Sequence, residues 1–320
     1  MNTPAERPFF IVGVNRSGTT LLRYMLLSSP RIYIPPESDF IPRFFGRRPH
    51  GPLSRKQAVR ILATIFGSYR LVREWQGEAP DLEAFVDSLP DLTPAALLDA
   101  LYRRYAEQNG AVRWADKTPI YTRHIDLIAQ IFPMAQFIHV IRDGRDVALS
   151  MVEKWGKEEF HIDIYFAARD WVRRIRRARA SGARLGPGRY YEVRYENLVK
   201  DPEHELRAVC KFLDEPYLPQ MAHPHLLARE RIPIDDFHAP VRQPPTTNRV
   251  GRWQTEMSEA DQRLFQHIAG GLLAELGYEV GDVGAMPLQE MVRFAGLGAK
   301  YAALQAGRCV LQAVGVFPPN

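Results

Sequence analysis

The sequence predicts a three-layer α/β fold, a central parallel sheet with helices on both faces, because one strand–turn–helix pattern recurs three times. "FFIVGV" (9–14) is continuously apolar and ends at a glycine-bearing turn, as a strand buried on both faces does. "SGTTLLRYMLLSS" then sets Leu21, Leu22, Met25 and Leu26 at the spacing of one helical face. "QFIHVIRDGRDVALSMVEKW" repeats the order, with a strand over Phe137–Ile141, a turn at "RDGRD" and a helix from about Val147. "RYYEVRYENLVKDP" supplies a third strand at Tyr190–Arg194, and "PEHELRAVCKFL" the helix after it. Strands alternating with helices in this way make parallel sheets.

Between the first two units, residues 42–110 are rich in helix formers and punctuated by prolines, which predicts a helical insertion over the sheet's carboxyl edge. Prolines recur at 216, 219, 224, 233, 240, 244 and 245, so this stretch is expected to lack regular structure and to close over a site as a loop. The main domain is accordingly 1–280, and 281–320 forms a C-terminal helical extension. Within it, 286–313 reads as a basic amphipathic helix that packs on its own domain or a partner, or makes peripheral membrane contact. Oligomeric state is not readable from any of these features.

The 320 residues, 46% hydrophobic and 25% charged, are ordinary for a globular protein with a substantial core. A net charge of +5 suits anionic ligands. Two cysteines, Cys210 and Cys309, exclude a disulfide framework and give no zinc spacing, so a reducing compartment is expected. The opening residues lack a signal-peptide pattern, and no apolar run reaches the roughly 18 residues of a membrane helix. A cytoplasmic protein is the expectation.

The first turn, "GVNRSGTT", approaches the nucleotide-binding pattern G-x-x-x-x-G-K-[ST], with Gly13 and Gly18 in place but Thr19 where the lysine belongs. That lysine grips the β- and γ-phosphates of a nucleoside triphosphate. Its loss speaks against a P-loop kinase, although the cradle itself is intact. Backbone amides at the start of the following helix, hydroxyls of Ser17, Thr19 and Thr20, and the charge of Arg16 all suit an oxyanion. In the second unit, Arg142 emerges at a strand's carboxyl end and Ser150 follows on the helix, placing a second anion site beside the first. Taken alone, Arg142, Asp143, Arg145 and Asp146 read equally as a surface ion-pair network. Two anion sites together point to a ligand phosphorylated at both ends.

These residues resemble the sulfotransferases that use 3′-phosphoadenosine 5′-phosphosulfate (PAPS). "RSGTT" is similar to the family's 5′-phosphosulfate loop and "VIRDGRDVALSM" to its 3′-phosphate motif. "VRYENLVKDP" with "FL", and "GRW" ahead of "GYE", are similar to its later segments. The likeness runs from about Phe9 to Glu279 and implies a P-loop-type fold. It also implies PAPS as co-substrate, with 3′-phosphoadenosine 5′-phosphate (PAP) as product, and no required metal. A donor without a γ-phosphate gives a Walker lysine nothing to hold.

The resemblance further implies the site residues. Glu37, in "IPPESDF", occupies the segment in which the tyrosylprotein-type and related bacterial enzymes carry their general base. Asp39 is the competing carboxylate, and it stands where the tyrosylprotein type has an arginine. Lys117, in "RWADKTPIY", corresponds to a lysine that supports the bridging oxygen, with Arg16 as a second cation; by its charge pattern alone it is a surface ion pair. Lys154, Tyr195 and Arg252 fall where the tyrosylprotein type contacts its cofactor. The acceptor is a hydroxyl of a carbohydrate, lipid, small molecule or peptide tyrosine, and a non-catalytic polyanion binder is the alternative.

Three further features are expected to be structural. His139 lies in an apolar strand as a hydrogen-bonded core residue, and His124 falls on a helix with surface exposure. Seven arginines between Arg169 and Arg184 form a solvated helix around Trp171, Val172 and Ile175. With one aromatic among them, nucleic acid is not an expected partner.

Overall fold

The computed structural model describes residues 7–68, 75, 78–156, 162–231, 239–281 and 284–313. Five parallel strands form the sheet in the order β2-β3-β1-β4-β5. They are β1 (Phe9–Gly13), β2 (Ile32–Tyr33), β3 (Arg113–Lys117), β4 (Gln136–Ile141) and β5 (Tyr190–Arg194). Along β1, Phe9 pairs with Gln136 of β4 and Gly13 with Val140, while Ile11 pairs with Lys117 of β3. This register brings the carboxyl ends of β1, β3 and β4 level, which is where ligands bind in such sheets.

Alternation along β1 divides the core. Phe9 and Ile11 face helices α1 (Thr19–Leu27), α9 (Tyr195–Lys200) and α10 (Pro202–Leu213), packing with Leu22, Met25, Leu206 and Val209. Phe10 and Val12 face the opposite layer, among Trp114, Phe137 and the insertion. That insertion holds α2 (Phe40–Phe45), α3 (Arg55–Phe66), α4 (Leu82–Asp87) and α5 (Pro94–Gln108), and α5 lies against β2 and β3. Its helices thus cover a face of the sheet, while the residues just before them, around Ser38, reach the carboxyl end of β3. The first helix after the insertion is α6 (Ile125–Ile131), which completes this layer.

β3 is a strand that no apolar run announces. "RWADK" is nevertheless wholly buried, because each of its charged side chains finds at least one partner. Arg113 donates to the carbonyls of Arg7 and Leu213 and to Gln136 and Glu215, Asp116 accepts from Ser38 and Tyr102, and Lys117 donates to Glu37. Paired polar groups are the condition under which such a strand can be interior.

Helix α7 (Gly144–Trp155) starts three residues before the expected Val147, because Asp143 caps it by accepting from Arg145 N at 2.9 Å. Gly144 fits there since a Cβ would lie 2.6 Å from the Trp171 ring. Helix α8 (Ile164–Leu185) buries Trp171 and Ile175 and leaves Val172 half-buried. Not all of its arginines are solvated as expected: Arg173 and Arg174, with Arg123, converge on buried Asp170.

The proline-rich stretch departs from expectation only in part: Pro244 and Pro245 lack regular structure and line a cavity at the sheet's carboxyl edge, but an earlier segment is helical. That segment is α11 (Pro224–Arg231), opened by a proline whose missing N–H costs nothing in a first helical turn. After it come the short helix α12 (Trp253–Glu256) and then α13 (Glu259–Glu275). The last helix, α14 (Leu288–Ala313), lies against α8 and α13. Phe294 and Tyr301 pack on Tyr165, and Arg293 and Lys300 pair with Asp261 and Asp163. No helix among the described residues is long and apolar enough to cross a membrane.

Candidate active site

The loop after β1 adopts left-handed backbone twice, at Arg16 (φ 71°) and Gly18 (φ 95°). A non-glycine residue held there stores strain of the kind found at ligand clamps. Gly18 is irreplaceable on steric grounds as well, since a Cβ would lie 2.3 Å from the Tyr195 ring. It occupies the N-cap of α1 without a side-chain cap, so the first amides of that helix are left to an external anion. The Ser17 hydroxyl is buried with no protein partner.

A cavity of about 560 Å³ opens at the carboxyl ends of the strands. Arg16, Gly18, Thr19, Thr20, Glu37, Arg142, Ser150 and Tyr195 all line it. Arg16 donates to Ser150 Oγ at 3.0 Å, and Arg142 donates to the carbonyl of Arg16 at 3.0 Å and to that of Arg249. The Arg142 guanidinium stands over the Tyr195 ring, 4.6 Å from its centroid. Burial, followed by the fields of Arg249 and Arg142, lowers the proton affinity of Arg16. Three arginines brought together against their own repulsion concentrate positive charge that suits a multiply charged anion.

The remainder of "RDGRD" is buried machinery, not a surface network. Asp143 pairs with Arg145, whose guanidinium lies 3.5 Å from the Trp253 ring centroid. Asp146 accepts from the backbone N–H of Gly251 (2.8 Å) and Trp253 (3.0 Å), which pins "GRW" beside the cavity. Glu196 accepts from Asp143 N and from the Tyr278 hydroxyl, joining "RYE" to "GYE".

On the other side of the loop, Lys117 Nζ lies 2.6 Å from Glu37 Oε1 and 3.2 Å from Thr20 Oγ1. Lys117 is buried, so its contact with Glu37 is no surface pair. Burial lowers its proton affinity, and the Glu37 carboxylate acts in the opposite direction. A carboxylate able to take a proton and an ammonium able to support a developing oxyanion therefore meet beside Thr20 at the end of the glycine loop.

Two expected cofactor contacts do not line the cavity, and one expected exposure is corrected. Arg252 is committed to Glu153 and Glu256 and lies outside the cavity lining, as does Lys154, which is exposed in the last turn of α7. The third cavity cation is Arg249, three residues earlier, brought in by the same pinned segment. His124 is buried, not exposed, because it faces the arginine-rich α8; burial, then Arg177 and Arg123, push its pKa down to about 4. His139 is the expected core residue, with Nδ1 2.5 Å from the Tyr190 hydroxyl and a pKa pushed down to about 3 by burial. Asp39 sits at the N-cap of α2 without capping it and does not line the cavity. Asn15 and Trp155 line the cavity without having been signalled, although each adjoins a residue that was, Arg16 and Lys154.

Residues 8–219 match the sequence model of the sulfotransferase family. The chain belongs to that family. Among curated relatives, protein-tyrosine sulfotransferase 1 of Mus musculus is 29% identical over 280 residues, covering 84% of this chain and 69% of that protein. The protein-tyrosine sulfotransferase of Drosophila melanogaster is 29% identical over 216 residues, but they make up only 39% of that longer protein. The sulfotransferase domain of the Synechococcus PCC 7002 olefin synthase superposes with a TM-score of 0.60 at 23% identity, covering 86% of this chain and 96% of that domain. This sulfotransferase thus shares the family's P-loop-like α/β fold with the site at its sheet's carboxyl edge.

Proposed function

We propose that this sulfotransferase moves a sulfuryl group from PAPS to an acceptor hydroxyl, with Glu37 as general base. The observation that carries the reading is the 2.6 Å contact between Glu37 and buried Lys117, one residue contact from the Thr20 hydroxyl of the phosphate loop. The cavity suits a donor phosphorylated at both ends. The loop and its partnerless Ser17 hydroxyl fit the 5′ side, while Arg142, Ser150 and Arg249 fit a 3′-phosphate.

Glu37 accepts the acceptor's proton as its oxygen bonds to sulfur, and the bond from sulfur to the 5′-phosphate oxygen breaks. Lys117 and Arg16 face the oxygen that keeps that electron pair, so PAP departs without a metal-held leaving group. Positioning and fixed charge supply most of the acceleration in such in-line transfers. Named relatives are protein-tyrosine sulfotransferases, which makes a tyrosine peptide the first acceptor to try, beside carbohydrate, lipid and small-molecule alcohols.

The test is a panel of these acceptors with labelled PAPS, using unaltered protein and Glu37→Gln. The variant should keep its affinity for PAP and lose about 10²- to 10⁴-fold in turnover, the usual contribution of a general base. Parental turnover in the variant would remove Glu37 from the role.

A further inference from the structure

Two hydrogen bonds to one serine join the segment carrying Glu37 to the strand carrying Lys117. Ser38 Oγ donates to Asp116 Oδ2 at 2.8 Å, and Ser38 N donates to Thr118 Oγ1 at 2.9 Å. Asp116 and Thr118 flank Lys117 in the chain, and Ser38 follows Glu37. The reacting pair is therefore clamped on the backbone immediately beside each member.

The clamp is itself braced. Tyr102 donates to the same Asp116 oxygen at 2.6 Å, and the Tyr121 hydroxyl lies 2.7 Å from Ser38 Oγ. With the serine proton committed to the carboxylate, Tyr121 is the donor in that last contact. The Tyr102 ring stacks on Trp114 at 4.4 Å, which fixes it against the opposite face of β3 from Lys117. Ser38, Asp116, Tyr102 and Tyr121 are all fully buried. Burial raises the proton affinity of the Asp116 carboxyl, and the bonds from Tyr102 and Ser38 oppose that. A buried carboxylate is a poor way to gain stability, since apolar groups of the same shape serve as well or better. Its geometry does something that apolar groups would not, which is to fix the direction of the Ser38 segment.

We propose that Asp116, acting through Ser38, is a positioning residue that holds Glu37 and Lys117 in the alignment needed for sulfuryl transfer. The proposal rests on Glu37 being the base, and the test separates the two.

Ser38→Ala, Glu37→Gln and the double variant are compared by PAP release from PAPS with water as acceptor, and each is titrated with PAP. Ser38→Ala should lower kcat by roughly tenfold to a hundredfold, the effect of a misplacement of about 1 Å, and leave PAP affinity unchanged. In the Glu37→Gln background the serine change should cost almost nothing more, because the group it aligns is already disabled. Ser38→Thr, which keeps the hydroxyl, should restore turnover. If Ser38→Ala fails to fold, Tyr102→Phe removes one donor to Asp116 and enters the same cycle.

An unchanged kcat in the serine variant, or the same loss in both backgrounds, overturns the positioning role and leaves Glu37 as base. Parental turnover in Glu37→Gln overturns the base and the positioning role together. Failure of the unaltered chain to bind PAP in the titration overturns the donor reading on which both stand.

Discussion

Replacing Arg142 by alanine should weaken PAP binding more than any other single truncation in the arginine socket. Arg142 is buried, donates to the carbonyls of Arg16 and Arg249, and stacks on Tyr195, so it holds two neighbouring cations in place besides contributing its own charge. A hydrogen bond to a charged partner contributes about 1.5–3 kcal/mol, and each 1.4 kcal/mol is about tenfold in affinity. Loss of the direct contact alone therefore predicts a roughly 10- to 150-fold rise in the Kd for PAP. Displacement of Arg16 and Arg249 would act in the same direction. Arg252→Ala is the control, since that side chain is spent on two partly exposed glutamates and surface pairs contribute at most about 1 kcal/mol. Titration calorimetry with PAP reads both variants. An unchanged Kd for Arg142→Ala, or a larger loss for Arg252→Ala, would refute the assignment of the socket.

Gly144→Ala should destabilise the fold by about 1–3 kcal/mol, the cost of overpacking a core, because its Cβ would meet Trp171 and Phe265. A lowered Tm in calorimetry checks it. Stability should also fall as pH drops from about 6.5 towards 4. His139 and His124 have pKa values pushed down to about 3 and about 4, so the unfolded chain takes up protons in that window that the native chain refuses. Each contributes a slope of about 1.4 kcal/mol per pH unit, and His139→Asn should flatten the dependence measured in denaturant titrations between pH 6 and pH 5.

How much of this was legible in the sequence depends on where each signal lies. β1 and β4 could be read because strands central to a parallel sheet are apolar on both faces. β3 could not, since "RWADK" is interior only by virtue of partners as distant as Glu37 and Leu213. The early start of α7 turns on a single cap at Asp143, and caps shift boundaries without disturbing the apolar pattern. Within the site, the loop and Arg142 were readable because their chemistry is local. Glu37 and Lys117, eighty residues apart, came from family likeness, and their contact depends on a register that no short motif encodes. Arg249 was not signalled because a pinned turn brings it into the cavity lining, and Asp146 does the pinning from the first turn of α7.

The proposed function requires the cradle to hold a nucleotide phosphorylated at both ends and lacking a γ-phosphate. Parallel calorimetric titrations of the unaltered protein with PAP and with ATP plus magnesium test it most directly. PAP should bind with the higher affinity and without magnesium. Tighter, magnesium-dependent binding of ATP would make the cradle a triphosphate site instead.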